Sequence, residues 1–286
     1  MMKLSTNTDY CVAKFGIEKA IDMICDAGFE ALDLSMFDIL RPSSPFFGDD
    51  YLEVAKKAKE KAESRGVYFN QAHAPFPCYK VDNEEYNTAI LPAIYKAIEI
   101  AGVIGAKQII VHPTYLDEGK KEFNMNFYNS LIPLCEKYNI KIALENMFGH
   151  KPNDTSVLIP NVCSLPEDFK DYVESLDKRY FTACLDLGHC GVVGVDVVEM
   201  IKTLGSNLTA LHIHDNDGVR DLHSLPFLHS IDFKAIAKAL KEIGYTGDIT
   251  LEADYFLRRL PAEMAADGLY LMRASAEKIR SLILNA

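Results

Sequence analysis

At 286 residues, 49% hydrophobic and 25% charged, the chain has the size and apolar content of one large α/β domain. Its 41 acidic residues outnumber 30 basic ones, giving a net charge of −11, which argues against a protein that grips nucleic acid through a basic face. Seven scattered cysteines without a C-x-x-C pair, no basic-then-apolar leader in residues 1–15 and apolar stretches short of a membrane span point to a reducing cytoplasm, with no disulfide framework and no membrane partner.

Short β-rich runs alternate with longer amphipathic ones along the chain. Strands are expected at residues 3–7, 31–35, 67–72, 108–112, 141–145, 181–186, 208–214 and 248–252, and helices at 17–27, 51–64, 86–104, 123–138, 166–175 and 233–243. Ile17, Ala20, Ile21 and Ile24 show the three- and four-residue steps of one helix face. Gly28, Gly66, Gly105 and Gly244 each follow a helix and precede a strand, where glycine supplies a left-handed cap. Eight strands alternating with helices predict a parallel sheet closed into a single (β/α)₈ TIM barrel domain over 1–286. An open doubly wound sheet would want a glycine fingerprint after its first strand, and none is present. Residues 147–164, rich in Asn, Pro and Gly, are expected to be a long loop after the fifth strand and a candidate lid.

Metal-capable side chains gather at the ends of these strands. His73 follows the third, His112 ends the fourth and Glu145 the fifth. Asp186 ends the sixth with His189 just beyond it, His212 and His214 end the seventh, Asp221 and His223 lie in the following loop, and Glu252 ends the eighth. Any one strand-end histidine is more often a hydrogen-bonded structural residue; the joint pattern makes the argument, because all of them fall at the catalytic end of one barrel. Carboxylates with some imidazole suit a hard divalent cation, so manganese or magnesium is the expected ion, with zinc or cobalt as alternatives. Such an ion polarises a carbonyl while a neighbouring carboxylate takes a proton from the adjacent carbon. His212 and His214 share a strand face, so one of them can be a supporting residue rather than a ligand. A hydride-shift route would want a lysine near the reacting carbon, and Lys151 in the long loop is the candidate.

Ala72-His73-Ala74-Pro75, Val111-His112-Pro113, Leu144-Glu145-Asn146, Leu185-Asp186-Leu187-Gly188-His189, Leu211-His212-Ile213-His214-Asp215-Asn216 and Leu251-Glu252 resemble the xylose isomerase-like TIM barrel superfamily over nearly the whole chain. That superfamily includes sugar isomerases and epimerases, ketose 3-epimerases, inosose dehydratases and endonuclease IV. The resemblance implies a metal set of Glu145, Asp186, His212 and Glu252, with Glu145 and Glu252 also the catalytic acid/base pair and His189 touching substrate oxygens. The run Asp221-Leu222-His223-Ser224-Leu225-Pro226 resembles a D-x-H-x-x-P loop that in many members continues with two glycines, where this chain has Phe227 and His229. Counterparts of all nine ligands of a three-zinc endonuclease IV site are present too: His73, His112, Glu145, Asp186, His189, His212, Asp221, His223 and Glu252. In the epimerase reading His73, His112, His189, Asp221 and His223 bind substrate or an additional metal. The expected partner is a small sugar, not nucleic acid, and assembly into a homo-oligomer stays open.

Overall fold

The computed structural model describes residues 2–286. Its strands are β1 (Leu4–Asn7), β2 (Ala31–Ser35), β3 (Tyr68–His73), β4 (Gln108–Ile110), β5 (Lys141–Glu145), β6 (Phe148–Lys151), β7 (Asp154–Pro160), β8 (Phe181–Asp186), β9 (Leu208–His212) and β10 (Ile249–Leu251). Eight of them form one parallel sheet in the order β10-β1-β2-β3-β4-β5-β8-β9. Just beyond the end of β9, Ile213 pairs with Leu251 of β10 and its amide donates to the Thr250 carbonyl at 3.0 Å, so the sheet curls round into a barrel. The eight barrel strands are almost wholly buried, as helices outside and packed side chains inside require.

Two expectations are corrected. Residues 147–164 are not an irregular loop: β6 and β7 pair as an antiparallel hairpin, with Phe148 opposite Pro160 and His150 opposite Leu158. The helix expected at 123–138 is two helices, Lys120–Ser130 and Ile132–Tyr138, because Pro133 has no amide to donate and opens a new first turn. Helices at Leu187–Val192, Val197–Leu204 and Ala265–Asn285 complete the outer layer. The helix Glu84–Ile104 is long and apolar enough to cross a membrane, contrary to the expectation from the sequence, but its face of Ile90, Ala93, Ile94, Ala97, Ile98 and Ala101 is buried in the barrel's outer core. It ends on Gly105 in the left-handed conformation, φ 79°.

Inside the barrel, a small apolar layer of Ile110, Ala143, Cys184 and Ala210 sits apart from the large core between sheet and helices. The rest of the lumen is polar and cross-bonded. Ser5 donates to Asn70 at 2.7 Å, Asn70 to Thr250 at 2.9 Å, and Thr209 to Gln108 at 2.7 Å, each bond spanning strands that are not neighbours. A register shift between β2 and β3 leaves Asn70 without a partner position, so that Asn70 and Gln71 both bond within the lumen.

Candidate metal centre

Because all eight strands run parallel, their C-terminal ends meet at one mouth. His73, Glu145, Asp186 and His212 are the last residues of β3, β5, β8 and β9; His112 and Glu252 lie just past β4 and β10. His189 is on the short helix after β8, and Asp221 and His223 are in the loop after β9. These nine residues fall into three groups: His73, His112 and Glu145; Glu145, Asp186, His212 and Glu252; and His189, Asp221 and His223, joined by His214; Asp33 forms a fourth with His73 and His212. Within each group one donor atom per residue lies within 4.8 Å of the others. Glu145 belongs to two of them.

Glu145 is the hub. Its Oε1 accepts from His212 Nδ1 at 2.9 Å, while Oε2 lies 2.9 Å from His112 Nε2. Glu252 Oε2 also approaches His212 Nδ1, at 3.4 Å. In the outer group His223 Nε2 is 3.0 Å from Asp221 Oδ2, and its Nδ1 donates to the Glu252 carbonyl at 2.9 Å. His189 Nδ1 donates to the Asn146 carbonyl at 2.7 Å, which turns its Nε2 toward Asp221. His189 and His223 thus each have one ring nitrogen tied to backbone and the other aimed at a carboxylate, the usual arrangement of a metal-binding imidazole.

Burial disfavours charge on Asp186, Glu145, His189 and His73, and pairing reverses it. Against the cost of burial, His189 and His214 hold the Asp186 carboxyl down at about 2, and His212 and His112 hold Glu145 well below the usual range. Burial also opposes protonation of His189, yet Asp186 and Asp221 lift it to about 10; for His73, Asp33 and Glu145 overcome burial and the neighbouring His212 and lift it to about 9. At His112 burial wins and its basicity falls. The groups fit divalent ions: carboxylate and imidazole donors converge, and several buried atoms, including Glu145 Oε2, His73 Nε2 and Asp221 Oδ1, have no hydrogen-bond partner.

The loop carrying Asp221 and His223 is pinned by Asp215, whose carboxylate accepts from the amides of Asn216, His229 and Ile231 at 2.9, 2.8 and 3.2 Å. Within it Phe227 adopts φ 76°, the left-handed conformation that glycine takes without cost. This is one of the two positions where the resembling loops carry glycine, so the backbone shape is kept here at some strain.

Above the groups opens a cavity of about 750 Å³. Phe37, Phe76, Phe148 and Tyr255 give it aromatic walls, each packed on a histidine (His73, His112, His189 and His223), with ring centroids 4.6–5.1 Å apart. The β6–β7 hairpin contributes Phe148 and His150 to one wall. Lys151 is exposed on the hairpin and does not line the cavity.

Three features were not read from the sequence. His150 reaches the cavity rim, and His214 joins the outer group by bonding Asp186 at 3.1 Å and stacking on His223 at 4.1 Å. Asp33, in the middle of β2, is fully buried beside His73 and His212; a lone acid in the apolar run Ala31-Leu32-Asp33-Leu34 was the available signal. Since His212 faces Glu145 and Glu252 whereas His214 faces Asp186, His212→Gln is expected to cost far more divalent-ion affinity than His214→Gln in a chelator-competition titration. Equal losses, or the reverse order, would refute the assignment of His212 as the ligand.

Fold and site define a (β/α)₈ barrel with a buried carboxylate–imidazole centre at its C-terminal mouth. The model of the xylose isomerase-like TIM barrel family matches residues 21–275, and the chain belongs to that family. It is 31% identical over 218 residues to an uncharacterised protein of Methanocaldococcus jannaschii, covering 72% of this chain and 71% of that one. A probable endonuclease 4 of Acholeplasma laidlawii is 25% identical over 183 residues, 58% of this chain and 59% of that one. Among solved structures, a D-tagatose 3-epimerase-like protein superposes with a TM-score of 0.75 at 20% identity, and the IolI protein with a bound zinc atom with 0.73 at 19%; each match covers 99% of both chains.

Proposed function

We propose that the protein is a divalent-metal-dependent isomerase or epimerase that moves a proton beside the carbonyl of a small sugar or polyol-derived ketone. The observation that supports this most directly is the convergence of Glu145 and Glu252 on His212 Nδ1 at the floor of an aromatic-walled cavity. Glu145, Asp186, His212 and Glu252 are the residues to hold the ion, which would polarise the substrate carbonyl. Three carboxylates and one imidazole suit manganese or magnesium, while the more imidazole-rich flanking groups suit zinc, the metal in the IolI structure. Glu145 and Glu252 stand on strands three places apart around the barrel, so they reach a bound sugar from different sides, as removing and returning a proton requires. The structural neighbours named for ketose epimerases support the same substrate class. A dehydratase or lyase that begins with the same proton abstraction uses the same residues.

The three ligand groups, two of which share Glu145, favour one further reading, a three-metal phosphodiesterase like endonuclease IV. The cavity rim speaks against it. Arg41 is paired with Asp38, and Arg258 with Asp9 and Asp254, leaving Lys80, whose ammonium lies 4.0 Å over the Tyr86 ring. A nucleic-acid backbone needs several free cations along its track. The proposed partner is therefore a small neutral sugar met in the cytoplasm.

The test is a screen of ketoses and inososes in deuterated buffer, with and without added manganese, magnesium or zinc. Metal-dependent deuterium is expected at a carbon beside the carbonyl of some substrate. Turnover without label would replace proton transfer by a hydride shift; zinc-dependent incision of abasic-site DNA at physiological salt would replace the sugar reading by the nuclease one.

A further inference from the structure

The cavity over the metal centre is lined by six carboxylates, Asp9, Asp38, Glu145, Asp221, Glu252 and Asp254, against three cations, Arg41, Lys80 and Arg258. Of those cations Arg258 alone is gripped by two acids. Its Nε donates to Asp254 at 2.8 Å and its Nη2 donates to Asp9, while the guanidinium carbon lies 5.5 Å from the Tyr255 ring. Asp9 opens the helix after β1, and Asp254 and Arg258 begin and end the short helix after β10. Because β1 and β10 are neighbours, the trio bridges two adjoining strand ends beside Glu252. Asp9 is anchored in turn by Ser35, whose hydroxyl donates to Oδ1 at 3.3 Å, and Asp254 is almost wholly buried. A guanidinium is the side chain best shaped to clamp a phosphate, through parallel N–H bonds. Here one edge of that fork is occupied by carboxylates, and two acids to one base leave the trio with a negative charge in excess.

We propose that Asp9 and Asp254 are specificity-determining residues: by holding Arg258 between them they keep it from clamping a phosphate, so the cavity takes unphosphorylated sugars and rejects their phosphate esters. This rests on the reading that the ligand is a sugar. A phosphate ester reaching Arg258 would have to displace a carboxylate and then lie beside both acids, in a partly desolvated wall where like charges repel more strongly than in water. A hydroxyl carries no such penalty. It donates to either carboxylate and accepts from the N–H groups of Arg258 that neither acid engages. The other two cations do not replace Arg258, since Arg41 is paired with Asp38 and Lys80 lies over the Tyr86 ring. Rejection is thus built from a repulsive element, not from the lack of an arginine. Neutralising the acids should therefore turn the same wall into a phosphate site.

The test is calorimetric binding of D-fructose, D-fructose 6-phosphate and inorganic phosphate to the magnesium-loaded protein and to its Asp9→Asn, Asp254→Asn and doubly substituted variants. Asn keeps the shape of each acid and removes its charge, and any contribution of the metal ion to phosphate binding is common to all four proteins. The wild type is expected to bind the phosphate ester no more tightly than fructose. Each substitution should raise affinity for the ester relative to fructose by about tenfold. Adding Arg258→Gln to the double variant should abolish that gain. The proposal is overturned by a wild type that prefers the ester, by variants whose preference is unchanged while only their melting temperature falls, or by a gain that survives Arg258→Gln. Should the wild type bind neither sugar, the sugar reading fails on its own. Inorganic phosphate then decides the role of the two acids: a gain in the double variant that needs Arg258 upholds it, and equal affinity in all proteins overturns it.

Discussion

Glu145→Gln is expected to abolish turnover and strip the centre of its ion while leaving the barrel folded. Loss of a positioned acid or base alone costs about 10²–10⁴-fold in rate, and Glu145 also belongs to two of the three ligand groups. Its position at the end of β5 suggests from sequence a residue the core can spare, but it is only 1% exposed and sits between His112 and His212. Gln keeps the shape and removes the anion that helps hold His212 charged, so that imidazole sheds its proton more readily, while His112, whose basicity burial already lowers, loses its carboxylate partner. A lowered melting temperature with intact far-UV circular dichroism is therefore expected, together with loss of metal by elemental analysis. Full activity in the variant, or an unfolded chain that keeps its metal, would count against the assignment.

Gly188→Ala is expected to damage the protein although helix propensity says otherwise. Gly188 lies in the helix Leu187–Val192, where Ala is intrinsically better by up to about 1 kcal/mol. Here the added methyl would overlap the His214 ring. That ring is fully buried, bonded to Asp186 and stacked on His223, and has no room to retreat. Overpacking of this kind costs about 1–3 kcal/mol, and a displaced His214 would also loosen Asp186, so both the melting temperature and the ion affinity should fall. Gly191→Ala is the control, because its methyl would come no nearer than 3.2 Å to its closest neighbour, Asn216 Oδ1. A Gly188→Ala protein more stable than the wild type would show that His214 is free to move.

The eightfold alternation of strand and helix, and with it the barrel, is legible in the sequence because it is written in local periodicity and in glycines that end helices. The placing of His73, Glu145, Asp186 and His212 is legible for the same reason: a residue at the end of a parallel strand is at the mouth wherever that strand sits in the barrel. The hairpin β6–β7 was missed because β7 is largely exposed and carries no buried-face alternation to read. Only the tertiary structure decides that Glu145 is shared between groups, that His214 joins Asp221 and His223, that Ile213 closes the barrel on Leu251, and that Asp33 stands behind two histidines. Except for His214 with its loop neighbours, those relations join residues tens to hundreds of positions apart. They depend on strand register and barrel closure, where a shift of one residue turns a side chain from the lumen to the helices, and no local pattern in the chain encodes that choice.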